Sequence, residues 1–301
     1  MALIWRTSRF AIDITRPQVM AIVNLTPDSF SDGDPAQKPA GALAACERLL
    51  AEGADILDLG AESSRPGAVP LSVEAELARL LPVLREAVRL GCPVSVDTAK
   101  PAVMQSALDL GADIVNDIGA LRAPGALEVV AAHPACGVCL MHMRGTPATM
   151  REMTDYDDVV AETVGFLRDR VAALRAAGIA AERIVVDPGI GFAKTAEQSF
   201  ALLARQHELE SVGAPVLVGW SRKSSLARLI GLGAVPAADR TTAQRAALDT
   251  ASAAAALLAV ARGARIVRVH DAAATVAALA VWRATRRDNS SPLDGPPVRT
   301  P

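Results

Sequence analysis

Where the apolar runs of this 301-residue chain stop, polar residues of wide chemical range begin. VMAIV at 19–23 gives way to Asn24, and the run at 54–59 holds Asp58 and is followed by GAESSRPG. Later runs end on Asp97, on Asn116, on Met141 with His142, on Asp187, on Gly219 with WSRKSS, and on Arg268 with His270. Asp97, Asp187 and the amide of Asn116 offer acceptors and donors that suit a flat heterocycle carrying N–H groups and ring nitrogens. Buried carboxylates are costly unless each finds donors or a cation. Arg65, Lys223, Arg268 and His270 supply that opposite charge, and the arginine fork matches the oxygens of a phosphate. The set therefore describes a ligand with a polar ring at one end and a phosphate at the other.

Plainer roles compete at each position. Asp97 and Asn116 are residue types that cap helices and make turns, Asp187 could brace the turn of DPGIG, and His270 could cap the last helix. Arg65 and Lys223 could be solvated loop charges. The combination favours a site, because nearly every run ends in such a group. GIGFAKT fails as a phosphate loop, since Ala193 stands before Lys194 where glycine is required, and no dinucleotide fingerprint is present.

The elements that must carry these residues alternate. Strand-length apolar runs rich in Val, Ile and Leu recur at 18–23, 54–59, 93–96, 113–115, 137–141, 183–186, 215–218 and 265–269. Between them stand stretches with apolar residues at three- and four-residue spacing and glycine near their ends, such as AGALAACERLLAEG and DVVAETVGFLRDRVAALRAAG. Eight such repeats predict an α/β fold, a single-domain (β/α)8 TIM barrel, in which the strand ends share one rim and residues far apart in sequence meet in one pocket. A doubly wound open sheet is the competing architecture. The region from Arg222 to Gly263 is long and interrupted, which predicts more than one helix there. Residues 1–17 read as an N-terminal extension, 18–288 as the barrel and 289–301, rich in Pro and Ser, as a disordered tail.

Composition narrows the partners. With 31 basic and 33 acidic residues and no block of like charge, neither a nucleic-acid nor a membrane surface is expected. Hydrophobic residues make up 51 %, yet much of that is alanine spread among charges, so no membrane span is expected. MALIWRTSRFAIDITRP lacks a signal-peptide apolar core, and a cytoplasmic location is expected. Cys136 and Cys139 form one C-x-x-C inside an apolar run, which reads as buried thiols rather than a redox or metal pair.

In order along the chain, NLTPDSFSDG, GAESSRPGA, SVDTAKP, VNDIGA, LMHMRGTP, VVDPGIGFAKT, GWSRKSSL and RVHD closely resemble the signature segments of the dihydropteroate synthase family, over about residues 18 to 285. The resemblance implies a (β/α)8 barrel, usually a homodimer, that uses Mg²⁺ to join 6-hydroxymethyl-7,8-dihydropterin diphosphate to 4-aminobenzoate. It implies that Asp97, Asn116, Asp187 and Lys223 hold the pterin, with Met141 and Phe192 packed around it. Asn24, Arg65, Arg268 and His270 would hold the diphosphate, with Asn24 also near the metal. Ser64, Pro66, Phe192 and Ser224 would receive the aminobenzoate, and Pro27, Asp28 and Phe30 would belong to a lid. Asp97, Lys223 and Arg65 are the catalytic candidates, in an SN1-like transfer whose cationic methylene a carboxylate such as Asp97 would stabilise.

Three departures touch loop geometry: GFAK stands where the family often has a second glycine, Trp220 precedes SRKS, and DGDP lacks a commonly doubled glycine. A non-catalytic pterin-binding paralogue, a pterin-dependent methyltransferase barrel and a Schiff-base aldolase using Lys223 are the alternatives.

Overall fold

A computed structural model describes residues 3–26, 38–65 and 67–286. Within them the expected alternation is present. Strands β3 (Gln18–Asn24), β4 (Ile56–Gly60), β5 (Val94–Asp97), β6 (Ile114–Asp117), β7 (Gly137–Met141), β8 (Ile184–Asp187), β9 (Leu217–Val218) and β10 (Ile266–Val269) form one parallel sheet. They neighbour one another in chain order, β10 pairs with β3, and a single parallel bridge between Val186 and Val216 joins β8 to the start of the β9 segment. The result is a nearly closed eight-stranded barrel rather than an open doubly wound sheet.

Helices α1 (Lys38–Ala51), α2 (Val73–Ala87), α3 (Pro101–Asp109), α4 (Ala126–Ala132), α5 (Val159–Ala176) and α6 (Ala196–Ala204) follow β3 to β8 in turn. The region after β9 divides into α7 (Ser224–Leu229) and α8 (Thr242–Ala261), as its interruptions suggest, and α9 (Ala272–Ala284) follows β10. Helix starts follow local chemistry. Ser72 and Asp158 accept from the first turns of α2 and α5, and Thr195 and Thr241 make reciprocal capping boxes with Gln198 and Gln244.

Because side chains two apart along a strand share a face, each strand serves two cores. Val19, Ala21 and Val23 of β3 pack outward into the strand–helix core, whereas Met20 joins Ile56, Ile114, Cys139, Val185, Leu217 and Ile266 inside the barrel. One further alternation towards the strand ends brings Asp58, Asp97, Asn116, Met141, Asp187 and Arg268 onto the same interior face. The sequence pattern that fills the barrel thus also aims the polar residues into its mouth.

The segment before β3 is structured. Strands β1 (Ile4–Arg6) and β2 (Ala11–Asp13) form an antiparallel hairpin that places Trp5, Ile12 and Ile14 against the interior cluster, closing the end of the barrel opposite the polar rim. Trp5 is fully buried and its indole donates to the Arg183 carbonyl at 3.0 Å. A Cβ at Gly137 would come within 3.0 Å of Thr7 and 3.1 Å of the Trp5 indole nitrogen, so the hairpin needs glycine at the foot of β7. All four cysteines are buried and outside any disulfide, as their place in apolar runs implies.

Candidate active site

At the mouth, a guanidinium lies between two carboxylates. Arg268, on β10, donates from Nε to Asp58 Oδ2 at 2.6 Å and from a terminal nitrogen to Asp97 Oδ2 at 2.7 Å. Asn116 donates to the same Asp58 oxygen at 3.2 Å, a contact across β5. Asp58 is fully buried and its Oδ1 has no hydrogen-bond partner among the described residues. Burial pushes the Asp97 carboxyl up to about 7, Arg268 opposes this, and the negative charge of Asp58 adds to it. Two acids sharing one cation leave an excess negative charge when both are ionised, which suits a site built to receive N–H donors or a positive centre.

The next sector pairs Asp187 with Lys223. Asp187 Oδ1 accepts from the Gly189 amide at 2.7 Å, and burial raises its pKa against the opposing effects of that bond and of Lys223. Burial lowers Lys223 to about 8, with Asp187 acting in the other direction. The Lys223 ammonium lies 4.0 Å from the centre of the Phe192 ring. Phe192 packs on Met141, Met143, Met150 and Ala193, a soft apolar wall suited to a flat ring.

His270 Nδ1 lies 2.9 Å from Ser221 Oγ, which also accepts the His270 backbone N–H at 3.1 Å. Burial, with Arg222, Arg268, Arg65 and Lys223 nearby, holds this imidazole down to about 3, so it is neutral near pH 7. Arg65 is exposed on the loop after β4, close enough to act on His270. Asn24 ends β3, half-buried, in register with Gly60. Ser64 is half-buried in the loop of Arg65, and Ser224 is exposed as the first residue of α7. The described structure thus brings Asp97, Asn116, Asp187, Met141, Phe192, Lys223, Arg268 and His270 around one mouth. Pro27, Asp28, Phe30 and Pro66 lie outside the described residues, as does the tail at 289–301.

The plainer roles fall away at two places. Asp271, not His270, caps α9 by accepting from Ala274, and the N-cap of α3 is Lys100, with no side-chain bond, so Asp97 is not its cap. Three groups carry more than their sequence context signals. Asp58 anchors Arg268 and Asn116, although it sits inside an apolar run. Lys100 bridges Glu62 and the buried Glu76 at 2.6 Å each, tying the Arg65 loop to α2 and α3. Lys194, from the failed phosphate-loop fragment, is buried against His142 at 2.8 Å. A lysine or glutamate spaced for solvent gives no sequence signal of such pairing.

The pterin-binding enzyme family matches residues 20–270. A dihydropteroate synthase of Neisseria meningitidis serogroup C is 48 % identical over 284 residues, covering 93 % of this chain and 97 % of that one. The dihydropteroate synthase of Xanthomonas albilineans solved with 4-aminobenzoic acid superposes with a TM-score of 0.86 at 45 % identity, over 96 % of this chain and all of that one. The Burkholderia cenocepacia dihydropteroate synthase complexed with 7,8-dihydropteroate gives 0.82 at 46 % identity, over 95 % and 97 %.

Proposed function

The chain belongs to the pterin-binding enzyme family and stands among its dihydropteroate synthases, and from that premise we propose that it joins 6-hydroxymethyl-7,8-dihydropterin diphosphate to 4-aminobenzoate, releasing diphosphate and 7,8-dihydropteroate. The observation that carries the reading is the Asp58–Arg268–Asp97 bridge beside Asn116, Asp187 and Lys223. It sets acceptors for pterin N–H groups next to cations for the diphosphate.

In this reading Asp187, Asn116 and Lys223 hold the ring, and Met141 and Phe192 pack on it. Arg65, Arg268 and His270 face the diphosphate, and Ser64 and Ser224 flank the aminobenzoate. His270, neutral near pH 7, offers a ring N–H to the diphosphate, and Arg65 and Arg268 stabilise the leaving group as its charge develops. Loss of diphosphate leaves a cationic methylene, and the Asp97 carboxylate stabilises it electrostatically. The arylamine is a neutral nucleophile and attacks without a strong general base. The family resemblance assigns Pro27, Asp28 and Phe30 to a lid that keeps water from the cation, and Pro66 to the aminobenzoate.

Mg²⁺ fits the residues present. No group of three His, Cys, Asp or Glu among the described residues is placed to hold a metal ion. Mg²⁺, however, characteristically keeps water and takes one or two protein groups together with substrate phosphates. Asn24, a half-buried amide at a strand end beside the cationic rim, supplies such a group. When bound, the ion would neutralise charge on the departing diphosphate.

Two broader features belong to the same proposal. Four buried cysteines outside any disulfide suit a reducing, cytoplasmic compartment, and among the described residues no helix is long and apolar enough to cross a membrane. A homodimer through α8 and α9 is supported by Leu258 and Val281, which are 46 % and 66 % exposed there. Sedimentation of Val281→Glu with Leu258→Glu should give monomers, and an unchanged mass would remove that face from the proposal. For the reaction, diphosphate release is measured with and without 4-aminobenzoate. Release that depends on the amine and yields dihydropteroate is expected, whereas binding of the pterin diphosphate with no turnover would leave a binding protein in its place.

A further inference from the structure

The loop after β8 is folded back on itself. The Phe192 amide donates to the Gly189 carbonyl at 3.0 Å, and Ala193 has a φ of 50°, a left-handed conformation that costs a non-glycine residue about 1 kcal/mol or more. The turn is also pressed onto the end of β7. A Cβ at Gly189, whose φ is 68°, would lie 2.0 Å from the His142 carbonyl oxygen. Something must hold this crowded seam shut.

Lys194 sits on it. Its ammonium reaches His142 Nδ1 at 2.8 Å, the Phe192 carbonyl at 3.0 Å, the Gly189 carbonyl at 3.1 Å and the His142 carbonyl at 3.4 Å. The carbonyls can only accept, and burial with Lys194 alongside holds His142 down to about 2, so its imidazole is neutral and accepts as well. Burial lowers Lys194 to about 7, while four acceptors around one nitrogen favour the protonated form, which has three donors to share. The lysine grips the backbone of Phe192, and that residue's ring faces Lys223.

We propose that Lys194 is a positioning residue: an internal ammonium that pins the β7 and β8 loops together and so fixes the Phe192 ring where the two substrates meet. It touches neither substrate and acts through Phe192. The role rests on the proposed synthase reading, which assigns Phe192 to both pockets.

The test is a double-mutant cycle on the full chain with Lys194→Met and Phe192→Ala. Each single variant should raise KM for pterin diphosphate and 4-aminobenzoate about tenfold while kcat stays within about threefold, the mark of lost ground-state positioning. Adding K194M to F192A should change KM less than about twofold, since residues acting as one unit are not additive. Multiplying effects, or a K194M chain with lower Tm and wild-type KM values, would overturn the proposal. Lys194→Gln, whose amide can still donate two bonds, should show the same pattern more weakly, and failure of both variants to fold would reduce Lys194 to a folding role and overturn it too. Wild-type turnover reports on the synthase reading separately. Should the wild type bind pterin diphosphate without turnover, the Kd of that ligand by calorimetry carries the same cycle.

Discussion

Two aspartates, both fully buried, stand at opposite ends of the barrel. Asp113, just before β6 at the hairpin end, accepts from the Arg9 amide at 3.1 Å, from its guanidinium at 3.0 and 2.5 Å, and from the Val94 amide at 2.9 Å. Asp58, near the mouth, shares one oxygen between Arg268 and Asn116 and leaves the other without a partner among the described residues. The closed end spends every acceptor on its own chain. The open end keeps unmet bonding capacity, and a satisfied carboxylate there would have nothing left for a ligand.

The largest expected effect lies at the mouth. Asp97→Asn should lower kcat by about a thousandfold with little change in pterin affinity, the scale of losing one preorganised electrostatic contact. Equal losses in both would recast Asp97 as a binding group. At the closed end Trp5→Ala should cost about 3–5 kcal/mol of stability, read by denaturant titration, with KM unchanged in the folded fraction. A matched pair sharpens the contrast. Asp113→Asn should cost about 2–3 kcal/mol, because its donors lose an acceptor, and leave turnover intact. Asp58→Asn leaves Arg268 an oxygen but not its charge and puts two amide N–H groups where Oδ1 had no partner, so it should cost about 1–3 kcal/mol and reduce kcat/KM at least tenfold. The reverse pattern would break the comparison.

The pH response should also separate the ends. Because burial holds Asp97 near 7 in the folded chain, against about 4 when unfolded, the folded state keeps a proton between those values that the unfolded state releases. This group therefore adds stability as pH falls from about 7 towards 4 and withdraws it as pH rises. In the proposed mechanism the carboxylate is the working form, so kcat/KM should fall below about pH 7 and D97N should lack that limb. The smallest effect is at Ala193, where Ala193→Gly should relieve the left-handed backbone and raise stability by about 0.5–1 kcal/mol.

That site also shows how legibility varied. All eight barrel strands could be read from their apolar runs, because parallel strands covered on both faces are continuous and hydrophobic. The polar rim was readable because it interrupts those runs at their ends, and Ala193 stood out as a missing glycine. The hairpin was not readable, since IWR and AID are too short for alternation to register and Trp5 gains its burial only from a barrel that forms later in the chain. Lys100 and Lys194 were opaque for another reason. Their partners lie across the fold, and a charged residue in a helical or loop stretch looks the same whether water or a distant carboxylate answers it.

The ring of strands is unevenly stitched. β9 has two residues, and one bridge, Val186 to Val216, joins its segment to β8. Asp187 follows immediately on one side of that thin join and the Lys223 loop on the other. Thermal breathing of the barrel should therefore concentrate there, with the amides of this stretch exchanging with solvent before those of β4 or β6.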